Sequence, residues 1–521
     1  MVIAMLALVV SAVAMTSPLR SAVRMAALDT PLQASASVLD WIARLPGANV
    51  GPVRLASSEC GAGGGMFLTE AVRDGDLLFA VPMDSTIGLQ LALSQPQLGA
   101  ALGLAWQSDG ERAALAGFVA HELLRQEPSD RSAFEPYLST LPERSTDLHM
   151  LWWSEEEIGQ LEGTSAHGEC LRLRAEVDEV SAGLRTGALA ADAQLHGVGA
   201  VSDAVRTAYV SILSRVFHIE APGHDVRALI PGLDALQHSA RPSVRYAIAP
   251  TPLDRMEVYA LGDHAAGHEL TLSYGAHPDM IFGCHYGFVP EMVPEGARGA
   301  NADRPAPEAR SSCHTVLRLA EAGGLEGLGA ARALSAQADA ADAPPDPDAD
   351  GWTQARLLAD PTGALVVLLA AAGSNSHYPL EFGLSLDDLD SLSTAREDAD
   401  AEELDSLSAL RICAQLCVLR DDESGQSAEA QTTAALLELL RCGSLRALDG
   451  ELNDDEASAL VSCCASAQLA VLRAGGADLV PGAPPPRAEC VLMASQLRRS
   501  EEAVLARLCE GDDVRRLFEG E

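Results

Sequence analysis

Hydrophobic and polar positions along this 521-residue chain change period repeatedly. Ser37 to Leu45, SVLDWIARL, carries apolar residues at helical spacing and predicts a short amphipathic helix. From Gly51 to Ile87, short β-prone runs alternate with glycine-rich and Asp74-Gly75 turns, which predicts strands. Residues from about 95 to 210 return to a helical period, in ERAALAGFVAHELLRQE and in the run ending AYVSILSRVFHI. Within that stretch Trp152-Trp153 read as core packing, and Ser154 before three glutamates predicts a helix start with an acidic first turn. Between Ala228 and Glu291 strands recur. Asp234, Gln237 and His238 follow an apolar run closed by Pro231-Gly232, and Tyr274 and Tyr286 each precede a glycine where a strand yields to a turn. Beyond Pro290 the helical period dominates at 352–373, 408–419, 430–445, 456–472 and 501–518, interrupted by an Asp-, Ala- and Pro-rich loop at 337–351. The spacing of these helices is irregular, so they do not form a repeat array.

Composition narrows the functions. The formal charge is −38, and all 36 basic residues are arginine. Such an acidic body repels nucleic acid and suits a basic protein partner. The run Asp387 to Asp405 reads as a solvated face, with a docking surface for such a partner as the alternative. Eleven cysteines contain no CxxC pair; Cys413, Cys417, Cys463 and Cys464 read as buried thiols, and no cluster supplies a disulfide framework or zinc ligands. Val2 to Ala14 is an apolar stretch of signal-peptide length ending in an A-x-A site, followed by an acid-poor segment with Arg20 and Arg24. Together, residues 1–34 look like a two-part plastid address, with a cytoplasmic protein as the alternative. No later run looks long enough to span a membrane, Ala364 to Gly373 being too short.

DALQHS at 234–239, followed by GHELTLSYG ending at Gly275 and YGF at 286–288, resembles two ordered motifs of SET-domain protein-lysine methyltransferases. The pattern is that of the subfamily typified by the Rubisco large-subunit methyltransferase, with D-x-x-N-H-S and then Y-G … Y-G-F. The glycine-bearing run at Gly63, Gly64 and Gly65, the strand ending Val81-Pro82, and FEPYLSTLPE with LWWSEEE resemble the opening and helical insert of the same subfamily. The resemblance implies an α+β protein. Residues 35–292 would form a discontinuous SET domain of short β-strands, with its helical insert at about 95–210, and 293–521 an all-α substrate-binding domain.

The same resemblance implies S-adenosyl-L-methionine as methyl donor and a lysine of a non-histone protein as acceptor, the candidates being a plastid enzyme or a ribosomal protein. It implies Tyr274 as the catalytic hydroxyl. Gly63, Gly64, Gly65, Ser214, Arg215, Asp234, Gln237, His238 and Tyr274 would line the donor pocket, and Tyr286 and Phe288 the target channel. No metal is implied, and the protein is expected to be monomeric, without stable membrane association. Two departures stand out: Gln237 replaces the family's Asn, and Ala62 a frequent Glu. The alternatives are a histidine acceptor or a catalytically inactive scaffold for a basic protein.

Overall fold

A computed structural model describes residues 38–58, 64–125, 127, 130–144, 147–221, 224–249, 255–275, 277–290, 314–318, 381–392, 407, 410, 411, 414, 454–475, 485–510 and 512–518. Gly63, Ala62, the plastid-like segment 1–34, the run Ala364 to Gly373, Cys413, Cys417 and the acidic loop 337–351 lie outside these residues, as does most of Asp387 to Asp405. The chain forms two compact units. One comprises Met1–Trp153, Cys170–Ala276 and Phe282–Arg304, the other Ser154–Glu169, His277–Ile281 and Pro305–Glu521.

The first unit opens with a helix at 38–42, inside the predicted span. Strands β1 (Asn49–Val50), β2 (Val53–Ser57), β3 (Gly64–Leu68), β4 (Leu77–Pro82) and β5 (Ile87–Gly88) follow. In β4 the run Leu78–Val81 is wholly buried, as expected of a central strand covered on both faces. The helical insert comes next, with α1 (Gly99–Leu124), α2 (Ser165–Thr186), α3 (Ala190–His196) and α4 (Val198–Arg215). α1 bends at Gly110, where φ is 81°. Trp152 and Trp153 are buried in the core, as their pattern predicts. After the insert run β6 (Val216–Ala221), β7 (His224–Leu229), β8 (Gln237–His238), β9 (Val244–Ile248), β10 (Arg255–Ala260) and β11 (Glu269–Leu272).

These strands make three small sheets, ordered β1-β4-β10-β9, β2-β3-β11-β8 and β5-β7-β6. Pairing is antiparallel except between β8 and β11, where Gln237 opposes Thr271 and His238 opposes Leu272 in parallel. Strands from both ends of the unit therefore meet in one sheet, with the helical insert as the excursion between them.

Among its described residues the second unit is mainly helical, including the predicted 456–472 and 501–518, while the predicted 352–373 and 430–445 lie outside them; it also holds an antiparallel pair, β12 (His314–Arg318) with β13 (Glu381–Ser385). Its longest described helices are α5 (Asp454–Ala474), α6 (Ala488–Glu510) and α7 (Asp512–Phe518). By length and composition, Ala457–Ala474 is apolar enough to cross a membrane, contrary to expectation. The reason is internal: Ala457, Val461, Cys464, Ala465 and Leu472 pack into the unit's own core with Leu317, Leu384 and Leu505. Cys464 is buried as predicted, whereas Cys463 is exposed, since adjacent helical residues point about 100° apart.

Two buried carboxylates tie this unit together. Ser154 and Glu157 form the expected cap in reciprocal fashion, the Ser154 N–H donating to Glu157 at 2.9 Å and the Glu157 N–H to the Ser154 hydroxyl at 3.2 Å. Glu157 then pairs with Arg487, whose Nε and Nη2 donate at 2.7 and 3.2 Å. Glu501 accepts from the Ser165 N–H and hydroxyl at 2.8 and 2.7 Å. Burial raises the Glu157 pKa, but Arg487 and the cap outweigh it and hold the carboxyl at about 2. Its stabilisation is therefore complete above the usual 4.5 and lost as pH falls toward 2. Arg487→Ala strands this carboxylate and should lower the unfolding free energy by about 3–5 kcal/mol. Urea titration checks this, and the double variant with Glu157→Gln should lose less than the sum of the two single losses.

Candidate active site

The parallel pairing of β8 with β11 sets Tyr274, two residues beyond β11, against the segment 236–238. Its N–H donates to His238 Nδ1 at 3.1 Å, and its hydroxyl donates to the Leu236 carbonyl at 2.7 Å. An Nδ1 that accepts leaves the proton of the neutral ring on Nε2. The phenolic proton is likewise committed to Leu236, so the lone pairs of this oxygen remain as acceptors.

Around Tyr274 stands a box of rings. Tyr286 stacks on it at 5.2 Å between centroids and 27° between planes, and Phe288 meets it edge-on at 6.3 Å. Phe282 lies 4.8 Å from His238, 5.7 Å from Tyr286 and 5.4 Å from Phe288. Phe282 to Tyr286 form a π-helical turn, which lets rings four residues apart face one space. The turn ends at Gly287, where φ is +78° and an added Cβ would lie 3.0 Å from the backbone of His149. Glycine is required there on both counts. His149 is itself fixed, accepting from the Leu151 N–H at 3.2 Å and donating through Nε2 to the His285 carbonyl at 3.1 Å. Burial, reinforced by the neighbouring His285, lowers its pKa to about 3. Burial also raises the Tyr286 pKa, with help from Tyr246, whose own ring meets Phe217 edge-on at 5.5 Å.

Behind this box lies a polar group. Arg215, the last residue of α4, pairs through Nη1 with Asp234 Oδ2 at 3.2 Å, and the Tyr137 hydroxyl donates to the same oxygen at 2.8 Å. Burial opposes the Arg215 charge, but Asp234 and the Tyr137 and Tyr274 phenols raise its pKa above the usual guanidinium value. Ser214 donates to the Val210 carbonyl at 2.7 Å, within its own helix. The extra methylene of Gln237 has a use: its amide reaches β3 and donates to the Gly64 carbonyl at 2.6 Å. A Cβ at Gly65 would run into the Glu269 carboxylate, so this strand end is kept bare.

The predicted residues Gly64, Gly65, Arg215, Asp234, Gln237, His238, Tyr274, Tyr286 and Phe288 thus all belong to this unit: His238, Tyr274, Tyr286 and Phe288 share the ring cluster, Arg215 pairs with Asp234, and Gln237 bonds to Gly64 beside Gly65. Ser214 bonds to its own helix, and Gly63 lies outside the described residues. Sequence reasoning missed Phe282, Tyr246, Phe217 and Tyr137. Phe282 was legible in principle, four residues before Tyr286, had the intervening turn been known.

No protein-family profile matches the chain. Over 135 residues it is 34% identical to the mouse (Mus musculus) N-lysine methyltransferase SETD6 and 33% identical to that of the rat (Rattus norvegicus). The match covers 25% of this chain and 27% of each relative, so it spans about a quarter of the curated proteins' length. Its structure is similar to that of the SET domain of LSMT bound to lysine and AdoHcy, with a TM-score of 0.56, 15% identity, and coverage of 93% of this chain and 91% of that one. Rubisco LSMT bound to AdoMet gives a TM-score of 0.54 at the same identity and coverage. The fold is that of a SET-domain protein. The two ends of the unit meet in the antiparallel pair β3–β11, whereas the parallel pair β8–β11 joins two strands that both follow the insert.

His149 gives the SET unit a pH dependence of definite sign. Its folded-state pKa of about 3 lies below the ordinary 6.5, so stability is complete above 6.5 and falls toward 3, by about 1.4 kcal/mol per pH unit. Urea unfolding at pH 7 and pH 5 should show this slope, and His149→Gln should flatten it.

Proposed function

We propose that the chain is an S-adenosylmethionine-dependent methyltransferase acting on a lysine side chain of a non-histone protein. The observation that carries the reading is the anchored Tyr274 hydroxyl inside an aromatic box on a SET fold. The matched relatives' designation as N-lysine methyltransferases supports lysine as the acceptor.

The residues fit such a donor: a strand that begins Gly64-Gly65 and so presents backbone without side chains, and the Arg215 guanidinium for a carboxylate. The donor supplies an electrophilic methyl group on a sulfonium. What the protein must supply is a neutral amine in line with it. Lysine titrates near 10.4, so presenting the free base at pH 7.5 costs about 4 kcal/mol. The rings of Tyr274, Phe282, Tyr286 and Phe288 would exclude water and disfavour the ammonium. Tyr274, with its own proton held by Leu236, offers only lone pairs and so would orient an amine N–H without protonating the nitrogen. No strong base is needed; the released proton passes to water.

The net charge of −38 supports a basic protein as substrate, and the run Val2 to Ala14 with the Arg-bearing segment behind it supports a plastid protein.

Calorimetry with S-adenosylmethionine tests the reading directly. Wild type should bind in the micromolar range. Tyr274→Phe should bind within about threefold and transfer at least about a hundredfold more slowly to protein in a plastid extract. Since the chain contains no lysine, label found on lysine after digestion comes from the substrate. No binding by a folded chain would leave the scaffold reading in its place.

A further inference from the structure

Tyr137 stands 97 residues from Asp234 and 78 from Arg215 in the chain, yet it ends the same polar group. The three side chains are graded from core to surface: Tyr137 is 0% exposed, the Asp234 side chain 3%, and the Arg215 side chain 26%. Of the three, then, only the Arg215 side chain reaches solvent. Its described contacts to Asp234, with the carboxylate at 3.2 Å and the carbonyl at 3.4 Å, both use Nη1, whereas a guanidinium carries five N–H donors on three nitrogens.

A buried carboxylate with a single cationic partner at its edge is poorly fixed. The Tyr137 hydroxyl, donating to the same Oδ2 at 2.8 Å, supplies the second contact that holds it. The ring is fully buried, and the hydroxyl is the one polar handle of that side chain. A phenylalanine would fill the same core space, so packing alone does not call for the oxygen.

We propose that Tyr137 is a positioning residue. It fixes Asp234, and through Asp234 it aims Arg215 at the carboxylate of the methyl donor. This rests on the donor reading given above, and it makes the one-turn helix Glu135–Leu138 of the insert part of donor recognition although no part of it need touch the donor.

Two ligands separate aiming from bulk stability. S-adenosylhomocysteine carries the amino-acid carboxylate, and 5′-methylthioadenosine keeps the nucleoside and thioether without it. Calorimetry should show Tyr137→Phe weakening S-adenosylhomocysteine by about tenfold while 5′-methylthioadenosine changes by less than about twofold. In the Arg215→Met background the same Tyr137 change should have no further effect on S-adenosylhomocysteine. If Tyr137→Phe proves too unstable, Asp234→Asn gives the same ratio, since it removes the oxygen that both groups share. Equal weakening of both ligands, no weakening of either, or full additivity with Arg215→Met would overturn the relay while leaving the donor reading intact. Wild type that binds neither ligand would overturn the donor reading, and the relay with it.

Discussion

One hydrogen-bonded contact, two residues long, governs the geometry of the first unit: the parallel pairing of Gln237–His238 with Thr271–Leu272. Parallel neighbours cannot be joined by a tight turn, so the chain must travel before it returns, and here it forms β9 and β10 on the way. The outcome is that Tyr274 arrives beside the segment it needs. Its amide finds His238 and its hydroxyl finds Leu236, so both ends of one residue are tied to one stretch of backbone. A slip of register by one residue would turn the side chains of β8 to the other face and undo both bonds.

Polar groups elsewhere follow the same economy. Asp234, Glu157, Glu501 and Asp513 are carboxylates taken out of water, and each meets fixed donors. With no lysine in the chain, the side-chain ion pairs described for them use arginine, whose planar fork can grip a carboxylate at two points, as Arg507 grips Asp513 at 2.8 and 3.0 Å.

Much of this was legible beforehand, for reasons that differ by residue. Ser154 with Glu157 announces a capped helix because the cap is local. Tyr274 and Tyr286 are marked by the glycines that follow them, whereas Arg215 and Phe288 are marked only by the family resemblance. Tyr137 carries no such mark, because its partner is remote in sequence and nothing in a helical pattern distinguishes a buried phenol from a buried ring. The β12–β13 pair in a helical region was equally hidden, since its two strands are separated by more than sixty residues of other sequence. Gln237 shows the converse case. It reads as a departure from a motif, and only the distance to Gly64 shows what the longer side chain does.

Gly287 has a mechanical consequence. Its bare Cα lies flush against the backbone of His149, which belongs to the helical insert, and the ring of Tyr286 is its immediate neighbour. Displacement at 149 is therefore passed to 287 and on to the wall of the aromatic box. The width of the box is in this sense a property of the insert as well as of the strands, and sequence drift in the insert can alter it while every ring lining the box stays the same.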